Sequence, residues 1–332
     1  MTKRTFTLLL GTALALAAAA PAQATLVYVK GAATASPTVY VARDDGSNPR
    51  KLGAGYSPVI SPNGRWVAWV RTASPDRVIL RRADRRGRAR RVGTATVVGG
   101  LRFSPNSRLL GSVRDRRLLV YDISRRRENR AAFGYLHGFD FGPDSRTLVY
   151  GSSGRRPAFD APVDLYTVER DGGSRKRITR DRRSLNPLWG PDGIVHDRQR
   201  WRDGDAPAYN LFEIQPDGGD FRRITRLRIP SLVSGLVPLE VATNGRRLLA
   251  SFVGQDTNVG FRVNPRSGSV HSLDSDFENG FVATDLTADG ETVLGHTGGP
   301  DPTGRHNIVT MPYTGGRQEL LVRGAMSPHW SR

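Results

Sequence analysis

The sequence of 332 residues contains no cysteine and only four lysines, and beyond residue 24 it has no apolar run of membrane-spanning length. The absence of cysteine excludes disulfides, Cys-ligated zinc, iron–sulfur clusters and thiol nucleophiles. The same part of the chain has no extended amphipathic helical pattern, which excludes a helical bundle. It also has neither a G-x-S-x-G nucleophile elbow nor a Gly-rich phosphate-binding fingerprint. These absences argue against thiol-based catalysis, a serine-hydrolase elbow and a nucleotide-phosphate cradle, and they name no function.

The first 24 residues have the three parts of a secretory signal peptide. A basic Lys3-Arg4 head is followed by an apolar run from Phe6 to Ala20 and an Ala-x-Ala end at residues 22–24. The run is shorter than the roughly 20 residues that cross a bilayer. We expect cleavage after Ala24 and export of residues 25–332 to the periplasm, the cell envelope or the medium, with no transmembrane segment. An uncleaved N-terminal anchor is the alternative.

What the sequence does contain is an internal repeat of roughly 45 residues. Each copy starts with a turn such as Ser61-Pro62-Asn63-Gly64 or Gly190-Pro191-Asp192-Gly193. A second turn, such as Asp171-Gly172-Gly173, follows within each copy, and Asp-Gly turns close tight β-hairpins. Runs rich in β-branched and aromatic residues, such as Trp66 to Val70, lie between the turns. The copies start at Ser61, Ser104, Gly142, Gly190, Ala242, Thr287 and Ser331.

Four strands per copy and seven copies predict an all-β fold, a seven-bladed β-propeller that forms a single domain over residues 25–332. After residue 24 the chain begins with Leu26 to Lys30 and Thr38 to Ala42, which correspond to second and third strands of a blade. It ends with Pro328 to Ser331, which corresponds to a first strand. We therefore expect the C-terminal strand to pair with the N-terminal strands, which would close the ring and remove exposed sheet edges.

Two segments carry a resemblance to a known family. Residues 38–70, TVYVARDDGSNPRKLGAGYSPVISPNGRWVAWV, and residues 163–193, VDLYTVERDGGSRKRITRDRRSLNPLWGPDG, resemble the WD40-like repeats of TolB-type propellers. The same repeats form the propeller domains of prolyl oligopeptidase-type enzymes. TolB-type proteins have six blades beside a separate N-terminal domain that has no counterpart here, so the resemblance leaves six blades as the alternative. It implies no peptidase activity, because the hydrolase domain has no counterpart either.

A ring of polar residues is predicted at the central channel. The residue two positions before each repeat turn would face the channel, and five of these positions are polar. In one interpretation the three carboxylates bind a metal or a sugar or lactone substrate, as in a lactonase-type or glycosidase-type hydrolase. In the other they form hydrogen bonds and ion pairs between blades, and we assign no catalytic residue, metal or cofactor. The five are Arg102, Asp140, Glu240, Asp285 and His329.

The long connections at residues 151–162, 197–209 and 295–306 are candidate binding loops, whereas residues 114–116 leave almost no loop. Long loops on a rigid scaffold commonly bind partners. Two of them combine arginine with aromatic residues, as binding hot spots do; solvated insertions are the alternative. The candidate residues are Arg155, Arg156, Phe159, Arg200, Trp201 and Arg202.

The formal net charge is +19, and arginine supplies 46 of the 50 basic residues. A GC-rich genome would give the same bias. The basic runs lack the interleaved aromatic residues that stack on nucleic acids, and export also argues against nucleic acid as a partner. We therefore predict a monomeric, non-enzymatic binding or scaffold protein. Its partner would be an envelope protein or an acidic polymer bound at the long-loop face.

Overall fold

The structure, a computed structural model, describes residues 25–34, 36–73, 76–84, 88–94, 100–155, 161–202, 205–254, 258–273, 281–298 and 303–331. This part of the chain forms 28 β-strands and no helix, which confirms the predicted all-β class. Within the same ranges, therefore, no helix could cross a membrane. The predicted signal peptide at residues 1–24 lies outside the described residues.

The strands follow one another along the whole described chain. The first fifteen are β1 (Thr25–Lys30), β2 (Thr38–Arg43), β3 (Arg50–Ala54), β4 (Tyr56–Ile60), β5 (Trp66–Arg71), β6 (Arg77–Arg82), β7 (Arg90–Thr94), β8 (Leu101–Phe103), β9 (Leu109–Arg114), β10 (Arg117–Asp122), β11 (Arg127–Phe133), β12 (Leu136–Phe141), β13 (Thr147–Ser152), β14 (Asp164–Glu169) and β15 (Lys176–Arg177). The others are β16 (Ser184–Trp189), β17 (Ile194–Arg202), β18 (Asp205–Ile214), β19 (Arg222–Arg223), β20 (Val233–Val241), β21 (Leu248–Gly254), β22 (Asn258–Val263), β23 (Val270–Ser272), β24 (Val282–Leu286), β25 (Thr292–His296), β26 (Asn307–Pro312), β27 (Glu319–Arg323) and β28 (Ala325–Trp330).

Most of these strands form four-stranded sheets of consecutive strands. The sheets are β4–β7, β8–β11, β12–β15 and β24–β27, and a fifth sheet has the order β28-β1-β2-β3. The remaining strands, β16 to β23, form one eight-stranded sheet. Its halves, β16–β19 and β20–β23, are joined by a single parallel pair between Tyr209 and Gly235. Within each half the neighbouring strands are antiparallel.

The first strands of these groups contact one another in chain order, β4 to β8, then β12, β16, β20, β24 and β28, and β28 in turn contacts β4. Apolar side chains fill the space between neighbouring groups. One hydrophobic cluster joins Val27 to Trp69, and another joins Leu211 to Leu248. Each sheet therefore buries both faces against its neighbours, which is the main source of stability in the absence of disulfides.

Close packing between sheets demands glycine at Gly111 in β9. A Cβ atom at this position would lie 2.5 Å from the Phe139 ring of the next sheet. That separation is far below van der Waals contact, so only glycine allows the two sheets to approach this closely.

The C-terminal strand β28 pairs antiparallel with β1, as the sequence predicts. The register places Leu26 opposite Trp330 and Val27 opposite His329. Trp330 is 8% exposed and packs in a hydrophobic cluster with Leu26 and Leu294. The pairing therefore joins chain segments about three hundred residues apart through both hydrogen bonds and apolar contact.

The expected loop at residues 197–209 is wrong, because the chain there continues as strands β17 and β18. With 9 residues in β17 and 10 in β18, this hairpin is longer than those of the neighbouring sheets. By contrast, the short connection expected at residues 114–116 is confirmed. It is a two-residue turn in which Asp115 and Arg116 both have positive φ.

We expect the Trp330→Ala substitution to lower the free energy of unfolding by about 3 kcal/mol, because it removes a buried aromatic side chain from the β1–β28 contact. Trp201→Ala is the control, since Trp201 is 39% exposed and should cost less than about 1 kcal/mol. Denaturant unfolding followed by circular dichroism measures both. Equal stability of the two variants would mean that the β1–β28 contact does not stabilise the protein.

Candidate functional site

A pocket of about 610 Å³, which we call the Arg pocket, lies against the β17–β18 hairpin. Six of its lining residues are arginines, and none is acidic. The lining residues are Arg183, Arg198, Gln199, Arg200, Trp201, Arg202, Ala208, Asn210, Phe212, Arg223, Leu227, Arg228 and Ile229.

The strand periodicity places the arginines of β17 together. Arg198 and Arg200 occupy alternate positions, so their side chains emerge from the same face of the strand; the pairing register shifts between Arg200 and Arg202. On β18, Asn210 pairs with Arg198 and Ala208 pairs with Arg200. The extended hairpin therefore presents a row of guanidinium groups above a small and a polar side chain.

Two of these arginines are held by the protein itself. Arg202 donates from Nη1 to the carbonyl oxygens of Ile229 (3.0 Å) and Pro230 (2.8 Å), and from Nη2 to that of Val233 (2.8 Å). Arg198 donates from Nε to Asp181 Oδ2 at 2.5 Å. Arg202 thus fixes the segment that leads into β20, and Arg198 is neutralised.

The other arginines leave the pocket positively charged. Arg183, Arg200 and Arg228 are exposed, and in the described part of the chain no acidic side chain pairs with them. Burial, followed by the neighbouring positive charges of Arg226, Arg198 and Arg200, lowers the pKa of Arg223. Guanidinium groups nevertheless stay protonated in proteins, so the pocket carries a concentrated positive potential.

A comparison with the neighbouring β12–β15 sheet shows which substitution leaves the pocket charged. Residues 164–182 and 210–228 align one to one without a gap, and both contain Arg-Ile-Thr-Arg, at 177–180 and at 223–226. Each threonine hydroxyl accepts a backbone N–H from the strand beside it, Thr179 from Leu165 at 2.8 Å and Thr225 from Leu211 at 2.9 Å. The two segments therefore form the same local structure.

The two aligned segments differ at the pocket by one substitution, an aspartate in the first and an asparagine in the second. Arg177 Nη2 lies 2.5 Å from Asp164 Oδ2, which is an ion pair. The equivalent of Asp164 is Asn210, whose amide carries no charge to neutralise the equivalent Arg223. Both arginines otherwise make the same contact, from Nε to the carbonyl oxygen of the threonine, at 3.0 Å for Arg177 and 2.7 Å for Arg223. Asparagine at this position therefore leaves an uncompensated charge facing the pocket.

Three of the six predicted binding residues come together here, because Arg200, Trp201 and Arg202 all line the Arg pocket. Arg155 is exposed but is not a lining residue. Arg156 and Phe159 lie outside the described residues.

Sequence reasoning missed the other lining residues, chiefly the polar ones. A position-by-position comparison of the two Arg-Ile-Thr-Arg copies would have revealed the exchange at Asn210. The missed polar residues are Arg183, Arg198, Gln199, Asn210, Arg223 and Arg228.

The predicted channel residues bridge neighbouring sheets. The Asp140 carboxylate accepts the backbone N–H of Phe141 and that of Trp189 in the next sheet, each at 2.9 Å. Asp285 does the same for Leu286 and Trp330, each at 2.9 Å. Each carboxylate therefore ties its own first strand to the first strand that follows.

His329 continues this pattern, since its Nδ1 accepts the backbone N–H of Ile60 at 3.5 Å. Ile60 is on the first strand of the next sheet, just as Trp189 and Trp330 are. Three of the five predicted channel residues thus accept a backbone N–H from the following sheet.

Arg102 also forms an ion pair, with its Nη1 3.6 Å from Asp140 Oδ1. The Nδ1 atom of His329, which accepts the Ile60 N–H, lies 3.7 Å from Asp285 Oδ2. Burial raises the pKa of Asp140; Arg102 opposes this shift and Glu240 adds to it. Within the described ranges no three His, Asp or Glu side chains, the three channel carboxylates included, form a group able to hold a metal ion.

A second buried carboxyl group lies on β17. Asp197 is fully buried, and the loss of solvent raises its pKa to about 7, an effect that the nearby Asn186 amide only partly offsets. The amide approaches without forming a hydrogen bond of normal geometry. This group therefore titrates near neutral pH inside the strand that carries the Arg pocket.

No family model and no curated protein match this chain. Solved structures do match its fold. The chain is similar to the β-propeller domain of the Trilobed protease from Pyrococcus furiosus, with a TM-score of 0.63 and 13% identity over 90% of this chain and 94% of that one. The fold is a β-propeller. An oligogalacturonate lyase in complex with manganese is also similar, with a TM-score of 0.59 and 14% identity over 90% of this chain and 83% of the lyase.

The propeller is also similar to TolB from Acinetobacter baumannii, with a TM-score of 0.54 and 14% identity. The alignment covers 93% of this chain and 66% of TolB. Identities this low establish the shared fold and leave the activity open.

We expect Asp140→Asn and Asp285→Asn each to lower the free energy of unfolding by about 1–3 kcal/mol. An amide keeps one acceptor oxygen and turns an N–H donor toward the second backbone N–H, so one hydrogen bond is lost. Asp217→Asn, at an exposed turn, is the control and should cost much less. Denaturant unfolding is the measurement, and a wild-type stability of both variants would argue against the bridging role.

The Asp197 carboxyl predicts a pH dependence. Its pKa is about 7 in the folded chain against 3.8 for the unperturbed group, so the unfolded chain loses this proton first and stability falls as pH rises from about 4 to about 7. Asp197→Asn should abolish that fall, and Asp192→Asn, at an exposed position, should not. Unfolding free energies at pH 5 and pH 8 test this; a difference between wild type and Asp197→Asn that is the same at both pH values would refute it.

Proposed function

We propose that the protein is an exported, non-enzymatic β-propeller that binds an acidic polymer through the Arg pocket beside the β17–β18 hairpin. The observation that carries the proposal is the set of guanidinium groups at Arg183, Arg200 and Arg228, which meet no acidic partner among the described residues. Uncompensated arginines lining a pocket attract anions and can bind them bidentately.

Residues 25–332 would form one domain of seven blades, the eight-stranded sheet counting as two blades. The cyclic contacts of the first strands support this number, as does the presence of a hydrophobic cluster between each neighbouring pair of groups. Cleavage after Ala24 would make Thr25 the first residue of the exported chain, and Thr25 is also where β1 begins. N-terminal sequencing of the exported protein would test this start.

A polymer fits the pocket better than a folded protein does. A volume of about 610 Å³ suits an inserted chain segment, whereas stable protein interfaces are broad surfaces of roughly 800 Å² per partner. Trp201 adds an exposed aromatic surface at the rim. Polygalacturonate, a soluble polymer of carboxylated sugars, is a suitable probe; two of the similar structures are oligogalacturonate lyases.

The alternative is a channel-centred hydrolase of the lactonase or glycosidase type that uses Asp140, Glu240 and Asp285. The proximity of Glu240 to Asp140 is the observation in its favour. Each of Asp140 and Asp285, however, already accepts two backbone N–H groups, which suits a structural carboxylate. Cleavage of polygalacturonate or of a lactone by the wild type, lost in Asp140→Asn while the variant remains folded, would favour the hydrolase.

We expect the double variant Arg200→Ala/Arg228→Ala to weaken polygalacturonate binding by at least about tenfold, because charge-assisted hydrogen bonds contribute about 1.5–3 kcal/mol each. Isothermal calorimetry at fixed ionic strength measures the affinity. Arg65→Ala/Arg108→Ala is the matched control, since both residues are exposed and the charge change is equal.

Equal weakening by the two double variants would mean that the overall charge, and not the Arg pocket, binds the polymer. If the wild type binds no polyanion at all, the proposal fails. Specific capture of one envelope protein, lost in Arg200→Ala/Arg228→Ala, would then point to a protein partner.

A further inference from the structure

One position of the Arg pocket holds an asparagine where the aligned position of the neighbouring sheet holds an aspartate. In the β12–β15 sheet, the Asp164 carboxylate accepts from Arg177 Nη2 at 2.5 Å, from Thr179 Oγ1 at 3.2 Å and from the backbone N–H of Arg182 at 3.0 Å. Asp164 is 5% exposed, so this arrangement is a built carboxylate site. The aligned site on β18 has Asn210 in its place.

Asn210 forms hydrogen bonds with the neighbouring backbone but does not neutralise the charge of Arg223. Its Oδ1 accepts from Thr225 Oγ1 at 2.9 Å and from the backbone N–H of Leu227 at 2.8 Å, and its Nδ2 donates to Leu227 O at 3.2 Å. An amide has two N–H groups, and this contact uses one of them. The side chain therefore binds the backbone of the segment that follows its threonine, as Asp164 does, although at Leu227, one position before the equivalent of Arg182, and it keeps one donor to spare.

The Arg223 guanidinium is also held in place by the protein, and some of its N–H donors have no acceptor among the described residues. Its Nε donates to Thr225 O at 2.7 Å, and its guanidinium lies 5.8 Å from the centroid of the Phe212 ring. No described residue accepts a hydrogen bond from its Nη groups. Asn210 and Arg223 both line the Arg pocket, so the unused donors belong to residues that a ligand can reach.

We propose that Asn210 and Arg223 bind a carboxylate group of the polymer, which replaces the charge that Asp164 supplies in the neighbouring sheet. This inference rests on the proposed function and narrows its ligand to carboxylated polymers, as opposed to sulfated or phosphorylated ones. A planar carboxylate matches the paired donors of a guanidinium. Asn210 is then the residue that allows an external carboxylate to bind, because an aspartate at position 210 would itself neutralise Arg223.

The test is the Asn210→Asp variant. The new carboxylate should pair with Arg223 as Asp164 pairs with Arg177, and polygalacturonate binding should weaken by at least about tenfold because the site is then occupied and a like charge repels the ligand. The variant should fold, since Asp164 occupies the aligned position of the neighbouring sheet and accepts from the equivalent threonine and arginine there. Thermal unfolding at or above the wild-type midpoint would verify this.

Asp164→Asn is the matched control, the reverse exchange in the other copy. It leaves Arg177 unpaired outside the Arg pocket, so polygalacturonate affinity should equal or exceed that of the wild type. A loss of affinity as large as that of Asn210→Asp would overturn the inference, because the two positions would then act through the whole molecule.

Competition with other polymers tests the ligand class. Methyl-esterified polygalacturonate, which is neutral, should not compete, and dextran sulfate and polyphosphate should compete more weakly than polygalacturonate. Stronger competition by either one would overturn the choice of carboxylate. Wild-type affinity in Asn210→Asp, with Arg200→Ala/Arg228→Ala still defective, would overturn this inference and leave the proposed function intact. Failure of the wild type to bind any of these polymers would contradict the proposed function itself.

Discussion

Burial of both faces of every sheet against its two neighbours is the constraint on which the rest of the structure depends. Apolar clusters join each group of four strands to the next, and β28 brings the last group back to β1. This arrangement stabilises a chain without disulfides. The same packing places polar side chains of the first strands beside backbone N–H groups of the adjacent sheet, so these side chains form hydrogen bonds between sheets.

The channel carboxylates follow from that constraint. Asp140 and Asp285 each accept a backbone N–H from the next first strand, and His329 makes the corresponding contact to Ile60. Buried polar groups have to be paired, and these side chains pair across the contact between sheets. The Arg pocket differs, because Arg183, Arg200 and Arg228 are exposed there and no acidic side chain of the described chain pairs with them.

The repeat turns and β-branched runs were sufficient to predict the all-β class, several of the strands and the pairing of β28 with β1, but residues 197–209, expected as a loop, belong to strands. Strand alternation carries that information locally. The site was only partly predictable: Arg200, Trp201 and Arg202 were found as an Arg-plus-aromatic set, whereas Arg183 and Arg223 come from other segments that only the fold brings near. The engagement of Arg202 with three backbone carbonyls could not be foreseen either, since it depends on the path of residues 229–233.

The central claim is that the charge left unpaired by Asn210 makes the Arg pocket the ligand site. A crystal structure of the protein with a short oligogalacturonate tests it most directly. The account predicts a carboxylate of the sugar chain within hydrogen-bond distance of Arg223 and Asn210, with further carboxylates near Arg200 or Arg228. An oligosaccharide bound in the channel against Asp140, Glu240 and Asp285, with the Arg pocket empty, would contradict it.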